Sequence, residues 1–195
     1  MISLRAPLIL ASASPRRKAL LESLGLEFEV RATDADETWP ENVEIGRAAE
    51  TVAMRKARAL EATSSIVLAA DTVVVLDGEV LGKPADDLEA GDTLRRLRGR
   101  THSVVTAMAL RYGGRETSDH VTTRVTFADL EDAEIDAYVS TGSPLDKAGS
   151  YGIQDDMGAL LVDRIEGDYF NVVGLPLRRF YTLLKAFVPD LVTST

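Results

Sequence analysis

The segment IVLAADTVVVLDGEVLGKP, residues 66–84, contains the clearest signal for the fold of this chain. Residues 66–70 form a continuous apolar run, which is typical of a strand that is buried on both faces. Asp77 and Gly78 then separate two further apolar runs, and an Asp-Gly pair in that position favours a two-residue β-hairpin turn. The segment therefore predicts a buried strand that is followed by a tight hairpin.

The register of this hairpin places polar side chains near one another. A turn of two residues puts Thr72 opposite Lys83, and Asp71, at the end of the buried run, becomes a neighbour of Lys83. Side chains alternate between the two faces of a strand, so a bend or a strand end at Asp71 is needed for all three to converge. A carboxylate beside an ammonium group fits a catalytic pair, but an Asp that ends a strand near a surface Lys explains the pattern equally well.

Strand and helix patterns alternate on both sides of the hairpin. We expect further strands at residues 8–11, 28–31, 103–112, 121–127 and 159–165. We expect helices at residues 15–24, up to residue 60 after an acidic stretch at residues 34–44, and at residues 88–97, 131–139 and 176–187. The strands at 103–112 and 121–127 are expected to be joined by a connection longer than a minimal turn. The alternation predicts an α/β protein with a mixed, twisted sheet flanked by helices.

The composition restricts the class of protein. Of the 195 residues, 45% are hydrophobic and 27% are charged, which is typical of a soluble globular protein with one domain over residues 1–195. The net charge of −9 argues against sequence-independent binding to nucleic acid. The sequence has no cysteine, which excludes disulfides, thiolate nucleophiles and zinc–thiolate sites. It also has no signal-peptide pattern and no apolar span of about 18 residues, so we expect a cytoplasmic protein that does not enter a membrane.

A candidate anion site precedes the first predicted helix. Residues 12–18 read SASPRRK and lie between the apolar run 8–11 and the start of that helix. Free backbone N–H groups and the helix dipole attract anions at such a position. Arg16, Arg17 and Lys18 oppose the dipole, so they are unfavourable for the helix itself. The pattern favours a phosphate-binding loop over an ordinary helix cap with solvated charges.

A third polar segment, DKAGSYGIQ at residues 146–154, belongs to a long predicted loop. Loops of this length are usually functional or disordered, and a plain surface loop is the alternative. The amide of Gln154 offers a donor and an acceptor, which suits the edge of a nucleobase. His102 and His120 stand alone in strand-like segments, and this isolation favours structural or exposed roles over catalysis.

Five short motifs occur along the chain in the order SASPRR, AADTVV, LGKP, DKAGSYGIQ and GLPL. Together they resemble the Maf family of nucleoside triphosphate pyrophosphatases, and the resemblance runs from about residue 8 to residue 179. It implies a fold related to that of the inosine triphosphate pyrophosphatases, a divalent cation (Mg²⁺ or Mn²⁺), a homodimer and a cytoplasmic enzyme. The implied reaction is attack of water on the α-phosphorus, which releases the nucleoside monophosphate and pyrophosphate.

The family's branch that hydrolyses dTTP and UTP is similar to this sequence at Arg16, Thr72 and Gln154, its specificity positions, and at Asp71, its proton acceptor. The resemblance also implies a complete set of site residues. The set comprises Asp71 and Lys83 as catalytic residues; Ser12, Arg16, Arg17, Lys56, Thr72, Asp146, Lys147 and Gln154 as substrate-binding residues; and Glu37 and Asp71 as metal ligands.

The sequence departs from the family's pattern at two positions. Asp155 follows Gln154 where Gly is usual, which affects the expected contacts with the base, and Ser143 replaces a common Glu before Pro144. Two other functions stay open. One is a nucleotide-binding regulator of septum formation with little turnover, and the other is a phosphate-binding scaffold whose main role is protein contact. Release of pyrophosphate separates the enzyme from the regulator.

Overall fold

The computed structural model describes residues 2–61, 64–155 and 157–194 of the chain. The strands are β1 (Ile2–Leu4), β2 (Leu8–Leu10), β3 (Glu29–Val30), β4 (Ile66–Leu76), β5 (Glu79–Leu81), β6 (Thr101–Tyr112), β7 (Arg115–Phe127), β8 (Val162–Glu166) and β9 (Val192–Ser194). The α-helices are α1 (Pro15–Ser23), α2 (Ile45–Arg58), α3 (Asp87–Leu97), α4 (Asp132–Val139), α5 (Gly158–Leu161), α6 (Tyr169–Val173) and α7 (Leu177–Phe187). None of these helices, within the described residues, is long and apolar enough to cross a membrane.

The strands form a mixed sheet. In the described part of the chain its order is β3-β2-β4-β6-β7-β8, with β5 paired to β4, while β1 pairs with β9 in a separate two-stranded sheet. Strand β2 is parallel to both β3 and β4, whereas β4 and β5 are antiparallel. The predicted α/β class with a mixed sheet is therefore confirmed.

The chain divides into two compact units. The first comprises Met1–Asp71, Thr106–Val121 and Gly174–Thr195, and the second comprises Thr72–Val105 and Thr122–Val173. Strands β4, β6 and β7 each continue from one unit into the other, and β4 does so directly after Asp71. A single domain over residues 1–195 stays a prediction.

The predicted hairpin is present with the predicted register. Val75 lies opposite Val80, as a two-residue turn requires. Asp77 and Gly78 have positive φ angles of 53° and 83°, which is the geometry of the type I′ turn that an Asp-Gly pair favours. The local chemistry of two turn residues thus determines how β4 and β5 pair.

The structure shows no strand end at Asp71, which the sequence left open as one way for Asp71, Thr72 and Lys83 to converge. Strand β4 continues through Asp71 as far as Leu76, because the β-branched residues 73–75 favour the extended backbone. Strand β5 ends at Leu81, so the register that would place Lys83 opposite Thr72 is not continued as a ladder. Asp71 therefore lies in the middle of a long strand.

Two other connections also differ from the prediction. Gly113 and Gly114 form a two-residue turn between β6 and β7, with positive φ angles of 55° and 78°, so the expected longer connection is wrong. Residues 115–120 are polar and partly or fully exposed, which explains why their sequence resembles a loop. The strand expected at 159–165 begins only at Val162, because α5 occupies its first residues.

Strands β2 and β4 position the first candidate site. Leu10 pairs with Leu68 in parallel register, and both side chains are fully buried. The N–H of Ala11 donates to the Leu68 carbonyl at 2.7 Å, after which the chain leaves the sheet. Asp71 lies three residues beyond Leu68 on β4. It therefore lies past the point at which the chain leaves β2 and enters the following loop.

Helix α2 is attached to β7 through a buried carboxylate. Glu50 accepts hydrogen bonds from the Ser118 hydroxyl at 2.7 Å and from His120 Nδ1 at 2.6 Å, and it pairs with Arg47 at 3.0 Å. Burial acts to raise the pKa of Glu50, but the hydrogen bonds from His120, Ser118 and Arg47 outweigh it and lower the pKa. These contacts fix the helix whose last turn carries Lys56.

Gly46 is required for this attachment, and Gly46→Ala is expected to destabilise the protein by about 1–3 kcal/mol because an added methyl group overpacks the site. A Cβ at position 46 would lie 2.3 Å from His120 Nε2, well inside contact distance. Gly91, a buried helical glycine of α3, supplies the matched control. Its Cβ would meet only the flexible end of Arg95, so Gly91→Ala is expected to leave stability unchanged or higher. Urea unfolding of both variants checks the difference, and equal stabilities would contradict it.

Candidate active site

The loop that follows β2 is held together by its own side chains. Ser12, which is buried, accepts hydrogen bonds at its Oγ from the Ser14 N–H and from Arg17 Nη1, both at 3.2 Å. Ser14 caps α1 by accepting from the Arg17 N–H at 3.4 Å, as the sequence predicted. Arg17 Nε also donates to the carbonyl of Gly174 at 2.9 Å. The guanidinium of Arg17 is therefore ordered beside the backbone at the helix start.

An ion cluster joins α2, β4 and the acidic loop. The ammonium group of Lys56 lies 2.7 Å from Asp71 Oδ1 and 3.0 Å from Glu37 Oε2. The side chains of Lys56 and Asp71 are each only 12% exposed, whereas that of Glu37 is 59% exposed. Lys56 thus links one buried and one accessible carboxylate, and the accessible one faces solvent.

The acidic loop is attached to the last turn of α2. The guanidinium of Arg55 donates to the carbonyl of Thr38 at 2.5 Å and pairs with Asp36 at 3.4 Å. Asp36 also accepts a hydrogen bond from the Thr38 N–H at 2.9 Å. Because Arg55 and Lys56 are consecutive, the same helical turn fixes both the backbone of this loop and the carboxylate of Glu37.

Within the first unit, the candidate site has more cationic side chains than carboxylates. Burial lowers the pKa of the Arg17 guanidinium, and the positive charge of Arg16 acts in the same direction, whereas Asp71 and Glu37 act to raise it. These charges are therefore close enough to influence Arg17. With Lys56, the site brings together three cations and two carboxylates in a protein of net charge −9. Such a local excess of positive charge is suited to a polyanion.

Glu37 and Asp71 are the two carboxylates expected to hold a metal ion. Within residues 2–61, 64–155 and 157–194, no group of three or more His, Asp or Glu side chains is suited to a metal. Mg²⁺ is commonly held by one or two protein carboxylates together with substrate phosphates and water. The donor set of this site fits such a shared ion and does not fit a cage made of protein alone.

The second unit carries another group of predicted site residues. Lys147 is buried, and its ammonium group contacts the Ser143 carbonyl and Asp146 Oδ1, both at 2.6 Å, and Asp155 Oδ2 at 3.2 Å. Gln154 is exposed, and its amide nitrogen donates to Asp155 Oδ1 at 2.9 Å. Lys147 is thus surrounded by protein acceptors.

Two further predicted residues of the second unit are Thr72 and Lys83. Thr72 is partly exposed at the point where β4 enters the second unit. Lys83 is exposed and forms no ion pair with any carboxylate in the part of the chain that the structure describes. Among the described residues, Asp71 forms its ion pair with Lys56 of α2 and not with Lys83.

Sequence reasoning missed Asp155 as a partner of Lys147 and Gln154. Its only signal was that it departs from the pattern of the resembling family. The reasoning also missed the Gly174 carbonyl that accepts from Arg17, because a backbone acceptor has no residue-type signal.

Both histidines occupy structural positions. His102 is buried and forms a hydrogen bond with the Tyr151 hydroxyl at 2.7 Å, and burial lowers its pKa to about 4. His120 contacts Glu50.

Comparisons with known proteins agree with the sequence motifs. The family model described as Maf-like protein matches residues 7–187. A dTTP/UTP pyrophosphatase of Salinibacter ruber is 51% identical, over 100% of this chain and 98% of its own length. A dTTP/UTP pyrophosphatase of Symbiobacterium thermophilum is 50% identical, over 92% and 93%. The solved structure of the Staphylococcus aureus Ham1 protein matches with a TM-score of 0.53 at 15% identity, covering 94% of this chain and 98% of that one, and shows a shared fold.

Proposed function

Because the chain belongs to the Maf-like protein family, we propose that it is a nucleoside triphosphate pyrophosphatase that hydrolyses dTTP and UTP. The products are the nucleoside monophosphate and pyrophosphate. Relatives that carry the name dTTP/UTP pyrophosphatase are 43–51% identical to this chain. Modified pyrimidine triphosphates belong to the same chemical class and are further candidate substrates.

The observation that carries this proposal is the ion cluster of Lys56, Asp71 and Glu37 beside the loop of Ser12 and Arg17. A triphosphate has several negative charges, and its hydrolysis depends on neutralising them more than on covalent chemistry by the protein. Arg16, Arg17 and Lys56 supply that neutralisation. The N–H groups at the start of α1 add backbone donors for phosphate oxygens.

Asp71 is the proposed proton acceptor for the attacking water. It is buried, and its Oδ1 is paired with Lys56, which fixes the direction of the carboxylate. A positioned general base contributes about 10²–10⁴ in rate. As the water oxygen bonds to the α-phosphorus, the proton of the water passes to Asp71. The bond between the α-phosphorus and the oxygen that bridges to the β-phosphorus then breaks, and pyrophosphate leaves.

A divalent cation, Mg²⁺ or Mn²⁺, is proposed as the cofactor, with Glu37 and Asp71 as its protein ligands. When bound, such an ion lowers the pKa of a coordinated water and neutralises charge on the phosphates. Lys56 contacts both carboxylates, so it orients the two proposed ligands and balances their charge. A carboxylate is a weak base at neutral pH. Because the ion would lower the pKa of the water, a weak base would be sufficient to accept its proton.

The residues of the second unit are proposed as substrate contacts on the strength of the family resemblance. Gln154 is proposed to read the edge of uracil or thymine, where N3–H donates and O4 accepts. Thymine and uracil differ by one methyl group, which is worth only about 1–3 kcal/mol in a pocket, so the use of both is expected. The other proposed contacts are Thr72, Lys83, Asp146 and Lys147. A cytoplasmic homodimer that binds neither nucleic acid nor membranes completes the proposal.

A substrate panel tests the function. Purified protein with Mg²⁺ or Mn²⁺ is incubated with the eight common nucleoside triphosphates, and both products are identified. Preferred turnover of dTTP and UTP with pyrophosphate release is the expected result. A tenfold preference for ATP or GTP would contradict the pyrimidine assignment, and binding without pyrophosphate release would favour a nucleotide-binding regulator instead.

A further inference from the structure

Asp155 holds together several residues of the second unit. Its Oδ2 accepts a hydrogen bond from the Tyr138 hydroxyl at 3.2 Å and pairs with the Lys147 ammonium group at 3.2 Å. The Ser143 hydroxyl donates to the same oxygen. The other oxygen, Oδ1, accepts from the amide nitrogen of Gln154 at 2.9 Å. Oδ2 thus faces the interior of the unit, and Oδ1 accepts a hydrogen bond from the exposed amide of Gln154.

The interior contacts of Asp155 are made with the buried side chains of Tyr138 and Lys147. Tyr138 is 1% exposed, and its hydroxyl also accepts from the Gly152 N–H at 2.9 Å. Burial raises the pKa of Tyr138 to about 12, so the hydroxyl keeps its proton and remains a donor to Asp155. A Cβ at position 152 would lie 2.5 Å from Asp155 Oδ2 and 2.6 Å from Lys147 Cε. Glycine at 152 therefore leaves the space that the Asp155–Lys147 pair occupies.

This anchoring determines which way the Gln154 amide faces. An ionised carboxylate can only accept hydrogen bonds, so the amide NH₂ group must face Asp155 and the amide oxygen must face away. Within the described residues, the other N–H and the carbonyl oxygen of Gln154 form no hydrogen bond. That pair matches uracil and thymine, which offer an N3–H donor and an O4 acceptor. Cytosine offers the opposite polarity, an N3 acceptor and an amino donor, so it requires the amide to be reversed.

We propose that Asp155 is a positioning residue that fixes the polarity of the Gln154 amide and thereby excludes cytosine nucleotides. Reversing the amide would place its oxygen against the Asp155 carboxylate, which is unfavourable. Asp155 directly follows the motif DKAGSYGIQ, so this role falls to a residue outside the five motifs. The inference rests on the proposed function, because it assigns a role in the selection of the same substrates.

The test compares kcat/KM for UTP and CTP in the wild-type protein and in Asp155→Ala. Without the carboxylate the amide can rotate, so the preference for UTP over CTP is expected to fall about tenfold. In a Gln154→Ala background the same Asp155→Ala change is expected to leave the preference unaltered, since the two residues act as one unit. Asp155→Asn keeps the size of the side chain and is expected to give a smaller fall in the preference for UTP over CTP. This variant tests the inference even where Asp155→Ala lowers the unfolding midpoint.

Asp163→Ala is the matched control, because Asp163 is an exposed carboxylate on β8 in the same unit. It is expected to retain the wild-type preference. Equal losses for UTP and CTP in Asp155→Ala would show a merely structural role and would overturn the inference, as would an unchanged preference in a folded Asp155→Asn. A wild-type protein that cleaves neither dTTP nor UTP would overturn the proposed function as well, so the two failures are distinguishable.

Discussion

Asp71→Asn is expected to lower kcat for UTP and dTTP by about 10²–10⁴-fold while substrate binding is retained. The asparagine keeps the shape and an acceptor oxygen but cannot take a proton from water. Lys56 loses a charged partner at 2.7 Å but keeps Glu37 at 3.0 Å, so its ammonium group is not left without a carboxylate. Single-turnover kinetics separate the rate of cleavage from nucleotide affinity.

The matched control for this change is Asp77→Asn, on the same strand hairpin. Asp77 is exposed in the turn and pairs with Arg100, and asparagine tolerates its positive φ angle of 53°. Full activity is expected from this variant, and thermal unfolding of both variants checks that each is folded. Near-normal turnover of a folded Asp71→Asn would remove Asp71 from the role of general base.

Turnover is expected to fall at least about 10²-fold when divalent cations are removed with a chelator, and to return when Mg²⁺ or Mn²⁺ is added. The physical reason is that the site supplies two protein carboxylates, both in contact with Lys56. Three protein cations alone leave much of the triphosphate charge without compensation during attack by an oxygen nucleophile. Initial rates measured across a titration of free Mg²⁺ give the dependence.

A stability measurement separates this role from a structural one. Because Glu37 and Asp71 are already paired with Lys56, the fold does not depend on an ion, and the chelator is expected to leave the unfolding midpoint of the nucleotide-free protein unchanged. A large fall in that midpoint would assign the ion to the fold. Full turnover after exhaustive chelation would contradict the account of charge neutralisation.

Local sequence chemistry was enough to predict two features of the fold, the start of α1 and the hairpin of β4 and β5. The Ser14 cap with Pro15 predicted the start of α1, and the Asp-Gly pair predicted the register of the hairpin, because both depend on a few adjacent residues. Whether the strand ends at Asp71 was left open by the sequence, since one polar residue interrupts the apolar run while the backbone continues unbroken. The pairing of β1 with β9 joins the two ends of the chain, and no local pattern encodes so distant a contact.

The composition of the candidate site was predicted better than its contacts. Ser12, Arg17 and Lys56 were named from the motifs, and the structure places each of them in a defined network within the first unit. Asp71 was expected to pair with Lys83, but it pairs with Lys56. The packing of α2, rather than the strand register, determines this partner. The role of Asp155 depends on side-chain packing around Tyr138, which the sequence does not specify.

The most direct test of the central claim is hydrolysis of UTP in water labelled with ¹⁸O, with mass spectrometry of both products. Attack of water on the α-phosphorus places the label in UMP and leaves pyrophosphate unlabelled, and this is the result that the account predicts. Label in pyrophosphate, or release of orthophosphate in its place, would contradict it.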